Sequence, residues 1–190
     1  FLGLNTARAL AAGGADVVIT TRRRDDPMAR MVVEQSGGKI TLEVVDLNNP
    51  HEVYSLFSRY DFDGVVHTAT NHMFARTRAT NFTSYNMLFN MVEAASSAGV
   101  RRFVLASSAV VYLGIPGPWR EDMPFPLENV ADASALVPGF EITFKRALEM
   151  VTLDYGTPMR FWDRAPAAGE RKLHPQMETA VVRFGAQCGP

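Results

Sequence analysis

Apolar positions along the chain alternate between helical spacing and short β-branched runs. Leu2, Ala7, Leu10 and Ala11 predict a helix over residues 3–13, ended by Gly13-Gly14. Val17-Val18-Ile19-Thr20 predicts a strand. Asp25-Asp26-Pro27 then supplies an N-cap with proline in the first turn, for a helix reaching about Ser36 and stopped by Gly37-Gly38. Ile40 to Val45 reads as the next strand, Asn49-Pro50 opens a helix through about Arg59, and Gly64 to Thr68 is a further strand. A long helix is expected over roughly Phe82 to Ala98, stopped by Gly99. A strand over Arg102 to Ser107 follows, continued in extended form by Val110-Val111-Tyr112. Ile142, Phe144, Leu148, Val151 and Leu153 mark a helix over Glu141 to Tyr155, and Ala180 to Phe184 is a last strand. These strands are continuous apolar runs, the pattern of strands buried on both faces. The expectation is therefore an α/β fold with a doubly wound parallel sheet and helices on both sides. Ligands of such sheets bind beyond the carboxyl ends of the strands, here after Thr20, Val45, Thr68, Ser107 and Phe184.

Composition narrows the function classes. The chain has 190 residues, with 19 Lys plus Arg against 20 Asp plus Glu and a formal net charge of -1. That balance argues against a broad nucleic-acid surface, which needs clustered cations to displace counterions. A single cysteine, Cys188, rules out an internal disulfide and a Cys-rich zinc site. His51, His72 and His174 lack partners at metal-ligand spacing, so no metal is expected. No apolar run approaches the ~20 residues of a membrane-spanning helix, and no signal peptide is visible, so the expected address is the cytoplasm. Met87 and Met91, at helical spacing with Leu88, read as core.

Chemistry-bearing residues gather at the predicted strand ends. Phe1-Leu2-Gly3 opens the first helix; Thr21-Arg22-Arg23-Arg24 ends the first strand; Asp46-Leu47-Asn48 ends the second. His67-Thr68-Ala69-Thr70 follows the third, and Asn81 stands at the start of the long helix. The longest pattern is Arg101-Arg102-Phe103-Val104-Leu105-Ala106-Ser107-Ser108-Ala109-Val110-Val111-Tyr112, with Glu121-Asp122-Met123-Pro124 after it. Val182-Arg183-Phe184-Gly185-Ala186-Gln187-Cys188-Gly189-Pro190 closes the chain. In this order the motifs resemble the extended short-chain dehydrogenase/reductase family, the NAD-dependent epimerase/dehydratase group, over nearly the whole chain.

The resemblance implies a Rossmann-type domain over 1–190 that lacks its first strand and the first two glycines of its dinucleotide motif, and lacks the smaller carboxyl-terminal substrate domain. Residues 157–179 form a candidate flexible insertion. It further implies that Phe1, Leu2 and Gly3 offer backbone N–H groups to a pyrophosphate, and that Asp46 and Leu47 face the adenine. Thr68, Ala69 and Thr70 let the backbone pass close to the cofactor, while Asn81 and Ser107 steady the site. An NAD-preferring fold has an acid at the end of the second strand of the fold; here Thr21, Arg22 and Arg23 stand there, which suits a 2′-phosphate and favours NADP over NAD. Simpler readings stay open: a turn glycine at Gly3, a solvated basic turn at Arg22 to Arg24, a turn cap at Asp46, and a helix N-cap at Asn81. His67 reads as a buried structural group.

The catalytic set departs from the family at one position. Ser108, followed by three residues and Tyr112, matches the family's catalytic serine, which polarises a substrate oxygen. Lys145, in Lys145-Arg146-Ala147-Leu148-Glu149, matches the lysine that holds the nicotinamide ribose. Four residues before it, where the family has its acid/base tyrosine, stands Glu141. None of Tyr54, Tyr60, Tyr85, Tyr112 and Tyr155 has a lysine four residues on. An unperturbed glutamate ionises near ~4.3, so Glu141 would serve as a base rather than a proton donor; alternatively it is a surface residue paired with Lys145 at i,i+4. The expected activity is an epimerase, dehydratase or reductase acting by hydride transfer on a nucleotide-sugar or similar hydroxyl or keto substrate. The alternative is a non-catalytic NADP-binding sensor or assembly subunit with a degenerate site. Family members often dimerise through the two long helices, so a homodimer is expected, with no nucleic-acid or membrane partner.

Overall fold

The computed structural model describes residues 1–70, 78–124, 139–157 and 177–185, without the side chains of 78 and 139–141. The chain divides into two units, Phe1–Tyr60 and Asp61–Pro190. The first runs α1 (Leu2–Ala12), β1 (Val17–Thr21), α2 (Pro27–Glu34), β2 (Ile40–Val44) and α3 (Pro50–Arg59). β1 and β2 are parallel, in register from Val17 opposite Ile40 to Thr21 opposite Val44. Asp26 caps α2 by accepting the Met28 and Ala29 N–H groups, and Asn49 caps α3 through the His51 N–H, as the Asx-Pro signals predict. Buried Ala7, Val32 and Ile40 gather Leu4, Ala11, Val17, Ile19 and Val33 around them, so the core joins α1 and α2 to the small sheet.

The second unit runs β3 (Gly64–His67), α4 (Arg78–Ser97), β4 (Arg102–Ser108), a 3-10 turn (Ala109–Tyr112), α5 (Gly139–Tyr155) and β5 (Glu178–Phe184). Its sheet has the order β3-β4-β5, all parallel, with Ser107 opposite Arg183 and Ser108 opposite Phe184. Phe103, Leu88, Val92, Ala95, Val111 and Ile142 have no exposed surface and form the core where α4 and α5 pack on one another and α5 covers the sheet. Met87 and Met91 are buried in it, as expected from their spacing. Both sheets are all-parallel, β1-β2 in one unit and β3-β4-β5 in the other, with helices between successive strands, as the α/β expectation requires.

Several expectations need correction. Val110-Val111-Tyr112 is not extended: the chain turns at Ser108, whose hydroxyl accepts the Val110 N–H and starts the 3-10 turn. α4 begins at Arg78, four residues earlier than predicted, so Asn81 lies inside the first turn and cannot be its N-cap. β5 begins at Glu178, taking Glu178 and Thr179 out of the expected insertion; residues 158–176 of that segment lie outside the described residues. Strand burial on both faces is approached only in the central β4, whereas the edge strands β3 and β5 leave Val66 and Val182 exposed. α5 ends at Gly156, where a Cβ would stand 2.1 Å from Thr179 Oγ1 on β5, so only glycine allows this approach. Among the described residues no helix is long and apolar enough to cross a membrane.

Candidate functional site

In the first unit three predicted segments meet at one edge. The four-residue connection from Gly13 to Asp16 returns the chain antiparallel to α1, and eleven helical residues match five strand residues in length, each about 16 Å. The start of α1 therefore lies at the same end as Thr21. Thr21 pairs with Val44, and Val45 N–H donates to the Thr21 carbonyl (2.9 Å), which brings Asp46 and Leu47 to that edge too.

The groups at this edge suit an anion. α1 begins at Leu2 with no acidic residue in its first turn. Helix N-termini of this kind favour negative charge. Thr21 Oγ1 accepts the Arg23 N–H (3.1 Å), which shapes the turn that displays Arg22, Arg23 and Arg24. All three arginines are exposed, and no guanidinium of the three has an ion-pair partner among the described residues. Asp46 does what the turn-cap reading expects: Oδ1 accepts Asn48 N–H and Nδ2 (3.0 and 3.3 Å), while its own N–H donates to Glu52 (2.8 Å). Leu47 is buried, and Asn48 Oδ1 is buried without a partner among the described residues.

The second unit places Ser107, Ser108 and Lys145 at the carboxyl edge of its sheet. Successive side chains of β4 alternate faces, so Ser107 is buried and Ser108 half-buried. By accepting from Val110 (3.3 Å), the Ser108 hydroxyl keeps its own proton for donation. Lys145 projects from α5 one turn before Glu149, and its charge is felt by His67 at the end of β3. His67 is buried, stacked on Phe103 and hydrogen-bonded to the Ala69 backbone. Burial first, and then Lys145, push its pKa down to about 4, against the pull of the Ala69 hydrogen bond. It is neutral at pH 7, in keeping with a structural role. Thr68, Ala69 and Thr70 follow directly, half-buried or exposed. Asn81 Nδ2 is buried and unpartnered, a donor with no acceptor among the described residues. The backbone of Glu141 is in α5, four residues before Lys145, but its side chain lies outside the described residues.

Behind the serines lies a polar network of which only the sequence context was noted. Glu149, 1% exposed, accepts the Ser107 hydroxyl at 2.5 Å. The same carboxylate receives Arg183 from β5, with Nε at 3.2 and 3.1 Å and Nη2 at 2.8 Å. Arg183 Nη1 reaches the Tyr112 hydroxyl (2.5 Å) and the Glu121 carbonyl (3.0 Å). Its guanidinium carbon sits 4.9 Å from the Tyr112 ring centroid. Burial works against its charge, and Glu149 and Tyr112 outweigh that, so its pKa is raised. Arg146 holds the same turn from the other side through the Val111 and Leu113 carbonyls (3.0 and 3.2 Å). Glu149 stands at i+4 from Lys145 on a helix whose neighbours are apolar, and a charge in that place is the available sequence signal for a buried pair. A cavity lined by Leu153, Gly156, Thr157, Met177, Glu178 and Thr179 lies at the start of β5, at the far end of the sheet from these groups.

A family model described as the NAD dependent epimerase/dehydratase family matches residues 1–130. Over 57 residues the chain is 42% identical to a protein of Streptomyces antibioticus described as a probable oxidoreductase, covering 28% of this chain and 19% of that one. Among solved structures, a UDP-galactose 4-epimerase superposes with a TM-score of 0.62 at 25% identity, over 82% of this chain and 48% of its own. The UDP-glucose 4-epimerase of Bifidobacterium longum, solved with NAD+ and UDP, gives 0.65 at 19% identity over 81% and 45%. That of Stenotrophomonas maltophila gives 0.65 at 17% identity over 95% and 49%. The chain thus spans about half the length of these solved structures and 19% of the curated relative.

Proposed function

Because the chain belongs to the NAD dependent epimerase/dehydratase family, we propose that it works as an NADP-linked epimerase, dehydratase or reductase on a nucleotide-sugar or similar hydroxyl or keto substrate. The observation that carries this reading is the Ser108 turn. A strand-end hydroxyl is fixed by a backbone N–H, retains its proton, and stands at the sheet edge where this fold binds ligands. The cofactor's diphosphate would be held by the N–H groups of Phe1, Leu2 and Gly3, its adenine by Asp46 and Leu47, and its 2′-phosphate by Arg22 and Arg23 beside Thr21. Thr68, Ala69, Thr70, Asn81 and Lys145 would hold the nicotinamide half, whereas Ser107, expected there too, is buried and donates to Glu149 instead. The exposed arginines, without an ion-pair partner among the described residues, and the Asn81 amide, buried without an acceptor among them, support that assignment. When bound, the nicotinamide ring supplies the hydride acceptor or donor.

On this reading the chain's own groups act on the substrate oxygen and its proton. Ser108 donates a hydrogen bond to the oxygen whose charge changes in the reaction. Lys145 adds a positive charge at the same edge. Glu141, in place of the usual phenol, takes a proton from a substrate hydroxyl or carbon. That replacement also favours a second reading, a cofactor-binding sensor or assembly subunit without turnover. Exposed Phe82 and Phe89 flank Tyr85 in a stacked row on α4, and Met150 and Leu153 are exposed on α5, which supports a homodimer through these helices.

Fluorescence titration of the protein with NADPH and NADH tests the cofactor assignment. NADPH should bind more tightly, and Arg22→Ala with Arg23→Ala should weaken it about tenfold or more, leaving NADH unchanged. Equal loss for both nucleotides overturns the 2′-phosphate assignment. Hydride exchange on a nucleotide-sugar then separates the enzyme from the sensor, which binds cofactor without turnover.

A further inference from the structure

Beyond the serine turn, the loop to Pro124 carries an aromatic group that the reading above does not use. Trp119 lies with its ring parallel to Tyr112, centroids 5.6 Å apart and planes at 8°. Tyr112 is buried, its hydroxyl accepts from Arg183 Nη1, and that guanidinium is anchored to Glu149 and to the Glu121 carbonyl. Trp119 Nε1–H donates to the Ile115 carbonyl at 2.8 Å, which fixes the rotation of the ring and consumes its one polar group. Trp119 is nevertheless 50% exposed beside its parallel, offset contact with Tyr112. With Nε1–H consumed, the open surface of the ring is apolar and carries negative π density.

We propose that Trp119 is the stacking platform for the sugar ring of the substrate. This rests on the nucleotide-sugar reading and names the group that recognises its sugar. A pyranose presents an axial C–H face that is weakly positive and apolar, complementary to an aromatic π face. Its hydroxyls point outward round the rim. Beside Trp119 the exposed Arg120 and Asp122 pair with one another at 3.0 Å and supply both a donor and an acceptor for such hydroxyls. The location fits as well. Tyr112 closes the turn that begins at Ser108, so the stack grows from the segment that carries the serine. Because the Ile115 hydrogen bond and the Tyr112 contact already hold the indole, little side-chain freedom is lost when a sugar ring settles on it.

The chain has two tryptophans, Trp119 and Trp162. In a Trp162→Phe background, Trp119 is the sole indole and its emission reports what lies on it. The protein, loaded with cofactor, is titrated with UDP-glucose, glucose 1-phosphate and UDP, with calorimetry reading binding independently. UDP-glucose and glucose 1-phosphate should quench or shift the emission saturably, and UDP should not. Trp119→Leu should weaken UDP-glucose binding about tenfold without altering UDP binding, and Trp119→Phe should restore most of it. Melting curves confirm that both variants remain folded. UDP-glucose binding with unchanged Trp119 emission overturns the proposal, as does a response to UDP equal to that with UDP-glucose, which places the base on the ring instead. Absence of any heat with all three ligands overturns the nucleotide-sugar reading itself and the platform with it.

Discussion

Replacing Glu149 by Ala removes the carboxylate that joins α5 to both β4 and β5. Glu149 is 1% exposed and the Arg183 side chain 14%, so the pair is held largely out of water. Breaking such a pair from one side costs about 3–5 kcal/mol, because the remaining charge stays buried. Arg183 keeps the Tyr112 hydroxyl and the Glu121 carbonyl and has some solvent, which puts its share near ~3 kcal/mol. Ser107 loses its acceptor at 6% exposure, an unsatisfied hydroxyl worth about 1–3 kcal/mol that overlaps the first term. The sum is about 4 kcal/mol out of a typical ~5–15. Glu149→Gln keeps shape and an acceptor for Ser107, and should lose about half as much. The double variant Glu149→Met with Arg183→Met has no stranded charge and should return to within ~1 kcal/mol of the parent. Urea unfolding at 25 °C reads these values, and with the single variants Glu149→Met and Arg183→Met closing the cycle, the coupling energy should exceed about 3 kcal/mol. A loss below ~1 kcal/mol for Glu149→Ala, or strictly additive single changes, would refute the claim that this pair ties the three elements together. The double variant also separates stability from geometry: it should fold yet turn over slowly, because Tyr112 and the serine turn have lost their anchor.

Two further perturbations bear on the same edge. His67 has a folded pKa of about 4 against 6.5 when unfolded, so protons favour the unfolded chain. Stability should be at its full value above pH ~6.5 and fall by roughly 3 kcal/mol as pH drops to ~4. His67→Gln should flatten that part of a urea-midpoint profile, and a parent profile flat from pH 7 to 4 contradicts the buried neutral imidazole. Glu141→Tyr restores a phenol four residues before Lys145 and should raise carbonyl reduction at least tenfold in a stopped assay of NADPH consumption. An unchanged rate would remove position 141 from the chemistry.

The sequence announced the elements more clearly than their ends. Asp26-Pro27 and Asn49-Pro50 are local signals, and the caps form where they predict. The start of α4 has no comparable signal: Arg78-Ala79-Thr80 is helix-compatible but unmarked, so the pattern places the start near Phe82, with Asn81 as a candidate cap. Val110-Val111-Tyr112 misled for a different reason. Two β-branched residues favour a strand, but the Ser108 hydroxyl captures the Val110 N–H and Arg146 captures the Val111 and Leu113 carbonyls, which satisfies the backbone in a turn instead. One of those determinants lies 35 residues away in sequence, where no local pattern reaches it.

The same distinction explains which parts of the candidate site were legible. Ser108, Lys145 and the arginine turn stand at strand ends or in a helix and could be placed by counting. Glu149 and Arg183 could not, because a charge is read as solvated until its partner is known, and theirs are 34 residues apart. Their pairing changes what the nearby motif means. Ser107 is buried and donates to Glu149, whereas the half-buried Ser108 hydroxyl accepts from Val110 and keeps its proton for donation. Tyr112 has its hydroxyl on Arg183 and its ring beside Trp119, which makes it a support and not a replacement for the tyrosine absent at position 141. Adjacent hydroxyls of one sequence motif thus differ in environment because a buried ion pair from two other elements claims one of them. The enzyme and sensor readings diverge only at Glu141, and the support under Ser108 is the same for both.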